Sequence, residues 1–218
     1  MIRRLARLSY AVAAAAAVLL TAAGLLTATA VSAAEWDRLS DKDDVLVERR
    51  VIPGSHIGEI RVTAHSPLAP ASVFETIWRH QEYLEFVPFL KRLTLLSDTG
   101  DERIAYEQLA LPFVRDRDYT VRFRRRVDPA AHRYEIFIES ANEAGPPPDG
   151  SHVRVTNIQG GWRTEPGLDG KGSIVRYEMK TDPAGRIPAW LADHTMRRAA
   201  ADLMRAMLKR ALQKNGGK

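Results

Sequence analysis

The sequence predicts an α+β domain in which a curved antiparallel sheet wraps around one long C-terminal α-helix. Three observations carry this. Six segments of alternating polar and apolar residues follow one another between residues 90 and 181, joined by short turns, which is the pattern of half-buried strands in an antiparallel meander. Ile187 to Leu212 contains no interior Pro or Gly and ends before Gly216-Gly217, so it forms a long helix. A second, shorter helical segment opens at Pro70, which places helices on both sides of the meander.

The first 34 of the 218 residues stand apart from this pattern. Arg3, Arg4 and Arg7 precede an apolar stretch from Tyr10 to about Leu26, and Val31-Ser32-Ala33 supplies small residues for cleavage near Ala33 or Ala34. That order is the pattern of a secretory signal peptide. It predicts a mature domain of residues 35–218 in the periplasm or secreted; an uncleaved membrane anchor is the alternative. Without the leader the formal net charge falls from +5 to +2, which removes the electrostatic case for a nucleic-acid partner. The chain has no Cys, so lipid attachment at an N-terminal Cys is excluded and one hydrophobic core must hold the domain without disulfides.

Within the domain, Trp36 to Asp44 (WDRLSDKDD) reads as a short polar helix anchored by Trp36. VLVERRV and HIGEIRVTAHS read as two strands around the turn Pro53-Gly54-Ser55. From Pro70, the residues Val73, Phe74, Ile77 and Trp78 recur at helical spacing, and YLEFVPFL prolongs this helix until Pro88. LKRLTLLSD and ERIAYEQLAL form a hairpin through Thr99-Gly100-Asp101. In YTVRFRRRVD, alternation sets Tyr119, Val121 and Phe123 against Arg122 and Arg124. HRYEIFIES follows after Asp128-Pro129, then a single strand HVRVTNIQGGWRTEP, in which Gly160-Gly161 marks a bulge or bend. GSIVRYEMKTDP is the last strand.

The residues exclude several chemistries. No Cys, no G-x-S-x-G turn and no H-x-x-x-H pair occur, so neither a nucleophilic triad nor a metal site is legible. Glycine-rich phosphate loops are absent as well. No catalytic residue, metal or cofactor is therefore expected. Arg122 and Arg124 are expected to pair across strands with Glu135 and Glu139; a membrane-docking patch is the competing reading. On the terminal helix, Trp190, Leu191, Ala199, Ala200, Leu203, Met204, Met207 and Leu208 share one apolar face. Met196, Met204 and Met207 add adaptable packing surface to this helix.

One stretch asks for an explanation: Leu111 to Tyr119 reads LPFVRDRDY, with two Arg-Asp pairs in series before a strand. It resembles the "P…RD-aromatic" signature of steroidogenic acute regulatory protein-related lipid transfer (START) domains, within the wider SRPBCC or Bet v 1-like superfamily. VRVTNIQGGWRTEP and SIVRYEMKTDPAGRIPAWLADH resemble later elements of that family in the same order. The resemblance covers nearly the whole mature chain. It implies a helix-grip fold enclosing a hydrophobic cavity, and a monomeric protein that binds one lipid or other hydrophobic small molecule, with at most transient membrane contact.

It also implies a ligand-facing set. Tyr106, Phe113, Phe123, Trp162 and Tyr177 come from the sheet, Trp190, Leu203 and Met207 from the helix, and Asn157 offers a neutral hydrogen bond. Arg117 and Asp118 brace the cavity wall or touch the ligand. Sterol-binding members place a buried Arg six residues beyond the Arg of this motif, where this chain has Phe123, and the region of its acidic partner holds Ile104, Ala105 and Tyr106. A tunnel lined by grease rather than ions is therefore expected. The alternative is a cyclase- or hydrolase-like enzyme of the same superfamily, using Asp116, Asp118, His194 or Glu107.

Overall fold

The computed structural model describes residues 35–52, 58–110, 114–182, 184–185 and 189–216, and the side chains of all of these except 189–195. The expected leader, the Pro53-Gly54-Ser55 turn, Phe113 and the side chains of Trp190 and His194 lie outside what is described. Among the described residues ten strands form one sheet: β1 (Asp37–Lys42), β2 (Val45–Val51), β3 (Gly58–Ser66), β4 (Leu90–Asp98), β5 (Glu102–Leu109), β6 (Arg117–Asp128), β7 (Arg133–Ser140), β8 (Val153–Arg154), β9 (Ile158–Pro166) and β10 (Ser173–Thr181). Their order is β1-β2-β3-β10-β9-β7-β6-β5-β4, and β8 pairs with β6. Every pairing is antiparallel except β6 with β8. Helices α1 (Pro70–Trp78) and α2 (Ala189–Asn215) complete the fold.

Alternation decides the inner face. In β6, Val121 and Phe123 are buried while Arg124 is exposed; in β7, Ile136 and Ile138 point inward. The core joins Val45 and Val47 of β2, Ile60 and Val62 of β3, Val73, Phe74 and Ile77 of α1, and Met204 and Met207 of α2. The outer face is laced by ion pairs. Arg122 and Arg124 both reach Glu139, at 3.2 and 2.5 Å, and Glu135 takes Arg163 at 2.8 Å together with Arg126. The cross-strand pairing holds for Glu139, while Glu135 is shared by two other arginines.

Four local expectations are corrected. Trp36–Asp44 is not a helix: it pairs with β2 as an edge strand. WDRLSDKDD carries no apolar stripe for a helix to bury, whereas the guanidiniums of Arg50 and Arg61 lie over the Trp36 ring, 4.6 and 4.1 Å from its centre. Asp43 and Asp44, at φ 55° and 59°, close the tight hairpin turn.

The helix opened by Pro70 stops at Trp78, and the chain resumes as a 3-10 turn over His80–Glu85. The carbonyls of Ile77 and Trp78, which a continuing helix would bond to later amides, are taken by the Tyr83 hydroxyl and the Arg103 guanidinium.

The segment 152–166 is two strands rather than one. Its first part pairs with the start of β6, while Asn142 Nδ2 donates to the Val155 carbonyl at 2.8 Å. Finally, Gly160-Gly161 is no bulge, because the register runs unbroken on both sides. A Cβ at either glycine would lie 2.1 Å from a carbonyl oxygen of the neighbouring strand, so these glycines let three strands approach closely.

Candidate functional site

A pocket of about 240 Å³ lies between the inner face of the sheet and α2. The helix contributes Met196, Ala199, Ala200, Leu203 and Met207; β9 and β10 contribute Ile158, Trp162, Tyr177 and Met179; and the 3-10 turn and its exit contribute Tyr83 and Val87. The register of β5 with β6 arranges the remaining wall in layers. Leu109 pairs with Arg117, Glu107 with Tyr119, Ala105 with Val121, and Arg103 with Phe123. The inward-facing members of β6 are therefore Arg117, Tyr119, Val121 and Phe123, all of which line the pocket.

Of the residues singled out in the sequence, Arg117, Phe123, Trp162, Tyr177, Leu203 and Met207 are brought together on this pocket. Trp162 and Tyr177 stack with ring centres 4.5 Å apart. Three are not brought there. Tyr106 lies one residue from Glu107 and so faces the opposite side of β5, where its hydroxyl donates to Asp118 at 3.0 Å. Asp118 shares that outer side for the same reason. Asn157 is exposed on the link between β8 and β9.

The series of charges in LPFVRDRDY is resolved segment by segment. Arg115 donates to the Gly150 carbonyl at 2.7 Å, and Asp116 pairs with Lys91 at 3.2 Å. Arg117, 3 % exposed, donates to the Arg115 carbonyl and to the Ala184 carbonyl at 3.4 Å; burial holds its pKa below the usual arginine value. Asp118, equally buried, accepts two bonds from Arg154 at 3.0 and 2.8 Å, which hold its carboxyl below the usual range. Four charges thus tie the mouth of β6 to β4, to the loop before β8, to β8 itself and to the segment leading into α2.

The expectation of a wall without ions is corrected by Glu107. It lines the pocket, is 7 % exposed, and accepts a hydrogen bond from the Tyr119 hydroxyl at 2.8 Å. No Lys or Arg side chain pairs with it among the described residues. Burial pushes its pKa up to about 7, against the opposing pull of the Tyr119 bond. It lies three residues beyond Ile104, where the sterol-branch comparison pointed, and period-2 alternation marks it as inward. Of the four acids and bases considered for catalysis, Asp116 and Asp118 are engaged elsewhere and Glu107 reaches the pocket; the His194 side chain lies outside what is described. At the far end, His80 is 1 % exposed behind Phe123, ring centres 4.0 Å apart, and burial, assisted by Arg103, lowers its pKa to about 3. Among the described residues no three His, Cys, Asp or Glu side chains gather as a metal would require.

A curved antiparallel sheet over a terminal helix, with an apolar pocket between them, defines a protein of the helix-grip class. The chain belongs to the START domain family, whose pattern matches residues 19–218. It is 25% identical over 189 residues to the phosphatidylcholine transfer protein of Mus musculus, covering 83% of this chain and 85% of that one. Among solved structures it resembles a STAR-related lipid transfer protein of Xanthomonas axonopodis (23% identity, TM-score 0.73, covering 81% of this chain and 98% of that one). It also resembles human StAR-related lipid transfer protein 5 (16% identity, TM-score 0.73, covering 94% and 98%).

Proposed function

We propose that this protein binds one hydrophobic molecule, a lipid, in the pocket beneath α2 and carries it without chemical change. The observation that carries this reading is the lining. Apart from Glu107 and Arg117, the described wall is uncharged and mostly apolar, with Met179, Met196 and Met207 supplying adaptable surface. Burying an alkyl tail there contributes about 0.8 kcal/mol per methylene before the costs of ordering. The names of the relatives, two of them lipid transfer proteins and one a phosphatidylcholine transfer protein, point the same way.

At about 240 Å³ the pocket sits just below the roughly 300–1,000 Å³ typical of sites that enclose drug-sized ligands. At this volume it suits a single chain, and a larger lipid requires α2 to move away from the sheet. The C-terminal end of α2 is fastened: Arg210 bonds Glu82 at 2.9 Å and Glu85 at 2.5 Å, and Lys214 bonds Glu82. Gating therefore falls to the N-terminal end, where Met196 and Ala199 border the pocket. The leader pattern of residues 1–34 supports an exported location, the periplasm or the exterior, and we propose that the domain acts there as a monomer that touches membranes only transiently. Native mass spectrometry of the protein recovered from the exported fraction tests both parts. A co-purifying lipid on a chain beginning near residue 35 supports the reading, and a protein that neither carries nor takes up lipid overturns it.

A further inference from the structure

Glu107 gives the pocket a chemical preference, an inference that rests on the lipid-binding reading above. Its carboxyl is inside, and one of its oxygens is satisfied by Tyr119 at 2.8 Å. The groups that face it from the surrounding elements are Tyr83 on the 3-10 turn, Tyr119 and Arg117 on β6, and Tyr177 on β10. The Tyr83 hydroxyl is committed to the Ile77 carbonyl, and Arg117 to the carbonyls of Arg115 and Ala184. The described lining residues of α2, namely Met196, Ala199, Ala200, Leu203 and Met207, bring no charge. When a tail displaces water from this space, the second carboxyl oxygen loses its solvent, and a buried acceptor without a donor is costly.

We infer that Glu107, held by Tyr119, is the head-group acceptor of the cavity, and that the ligand is a single-chain amphiphile whose head donates a hydrogen bond, a hydroxyl or an amine. An anionic head is refused while Glu107 is ionised, because two like charges would share a dry site. The donor head restores the bond that water leaves behind. The single chain follows from the pocket volume of about 240 Å³.

Calorimetric titration with three probes of equal chain length, 1-dodecanol, dodecylamine and laurate, tests this on the mature protein. At pH 8.5 the alcohol or the amine is expected to bind at least tenfold more tightly than laurate, the scale of one hydrogen bond to a charged group. At pH 5.5, with Glu107 protonated, laurate gains on the alcohol. Glu107→Leu lowers alcohol affinity about tenfold, and Glu107→Gln, which keeps an acceptor but no charge, admits laurate at pH 8.5. Laurate binding as tightly as the alcohol to the wild-type chain at pH 8.5 overturns the inference, with no variant needed. So does a Glu107→Leu protein that keeps the preference. If none of the three probes binds at either pH, it is the lipid-binding reading itself that falls.

Discussion

Arg154 grips Asp118 with two hydrogen bonds, at 3.0 and 2.8 Å, across the parallel pairing of β8 with β6. Tyr106 adds a third bond to the same carboxylate, and Arg154 also donates to the Pro146 carbonyl at 3.0 Å. The clamp fixes the loop before β8 against the sheet, and with it the start of the segment that delivers Val155 and Ile158 to the pocket. Asp118 thus serves the cavity from the outside of its wall.

Breaking the clamp from one side leaves a buried charge alone. Arg154→Ala is expected to cost about 3–5 kcal/mol, read from the shift in urea midpoint. Because Arg154 holds the folded pKa of Asp118 below its unfolded value, the stabilisation is complete above the unfolded carboxylate pKa and fades as pH falls through the folded one. Asp118→Asn should therefore lose stability at pH 7 and show a flatter acid limb than the parent; equal acid limbs would refute the assignment.

Glu107 has the opposite sign. Its folded pKa of about 7 lies above that of the unfolded chain, so the native state holds the proton more tightly. Stability contributed by the protonated form is full below the unfolded pKa and declines as pH rises through about 7, by about 3 kcal/mol in all. Glu107→Gln is expected to melt at higher temperature than the parent at pH 8.5 and to converge with it near pH 4. Thermal melts across that range, without added lipid, decide the matter.

Met204 and Leu203 are neighbours with different surroundings. Met204 is fully buried in packed core and does not border the pocket, whereas Leu203 is half-buried and lines it. Met204→Ala should cost about 2–5 kcal/mol. Leu203→Ala should cost clearly less, since it already faces open space, and should admit a longer-chain ligand than the parent accepts. Equal costs would mean that the space beside Leu203 is not open in solution.

Gly160→Ala and Gly161→Ala each drive a methyl group against a carbonyl oxygen of the adjoining strand, at 2.1 Å before relaxation. A loss of at least about 1–3 kcal/mol is expected for either, visible as a lowered denaturation midpoint. A neutral substitution would show that the strands do not approach each other there as closely as described.

The clamp of Glu82 on Arg210 and Lys214 is partly exposed, so solvent screening keeps its contribution to global stability small. Its consequence is local. Glu82→Gln should raise amide exchange in the last two turns of α2 and leave the sheet strands unchanged, an effect that high salt reproduces in the parent.

Much of this was readable in the chain because it depends on local periodicity. LKRLTLLSD became β4 with the expected bounds, and alternation in YTVRFRRRVD correctly turned Tyr119, Val121 and Phe123 inward. Where the decisive partner lies far away in sequence, the reading failed. The helix from Pro70 ends because Arg103, twenty-five residues on, takes the Trp78 carbonyl. WDRLSDKDD becomes a strand because it pairs with β2 while the Arg50 and Arg61 guanidiniums lie over Trp36. The family resemblance puts Tyr106 in the ligand-facing set, although the alternation that turns Glu107 inward turns Tyr106 out.

By itself the sequence determined the antiparallel meander between two helices, the inner face of β6 and the apolar stripe of α2, since backbone geometry imposes periods of two and 3.6 on any chain that must hide its apolar side chains from water. Only the tertiary structure decided which charges meet. It sent Asp118 to Arg154 and Arg117 to backbone carbonyls, and it left Glu107 in a mostly apolar pocket, hydrogen-bonded by the Tyr119 hydroxyl. Coulombic and hydrogen-bond partners are chosen by proximity in space and by the loss of solvent, and neither is written in the spacing of residues along a strand.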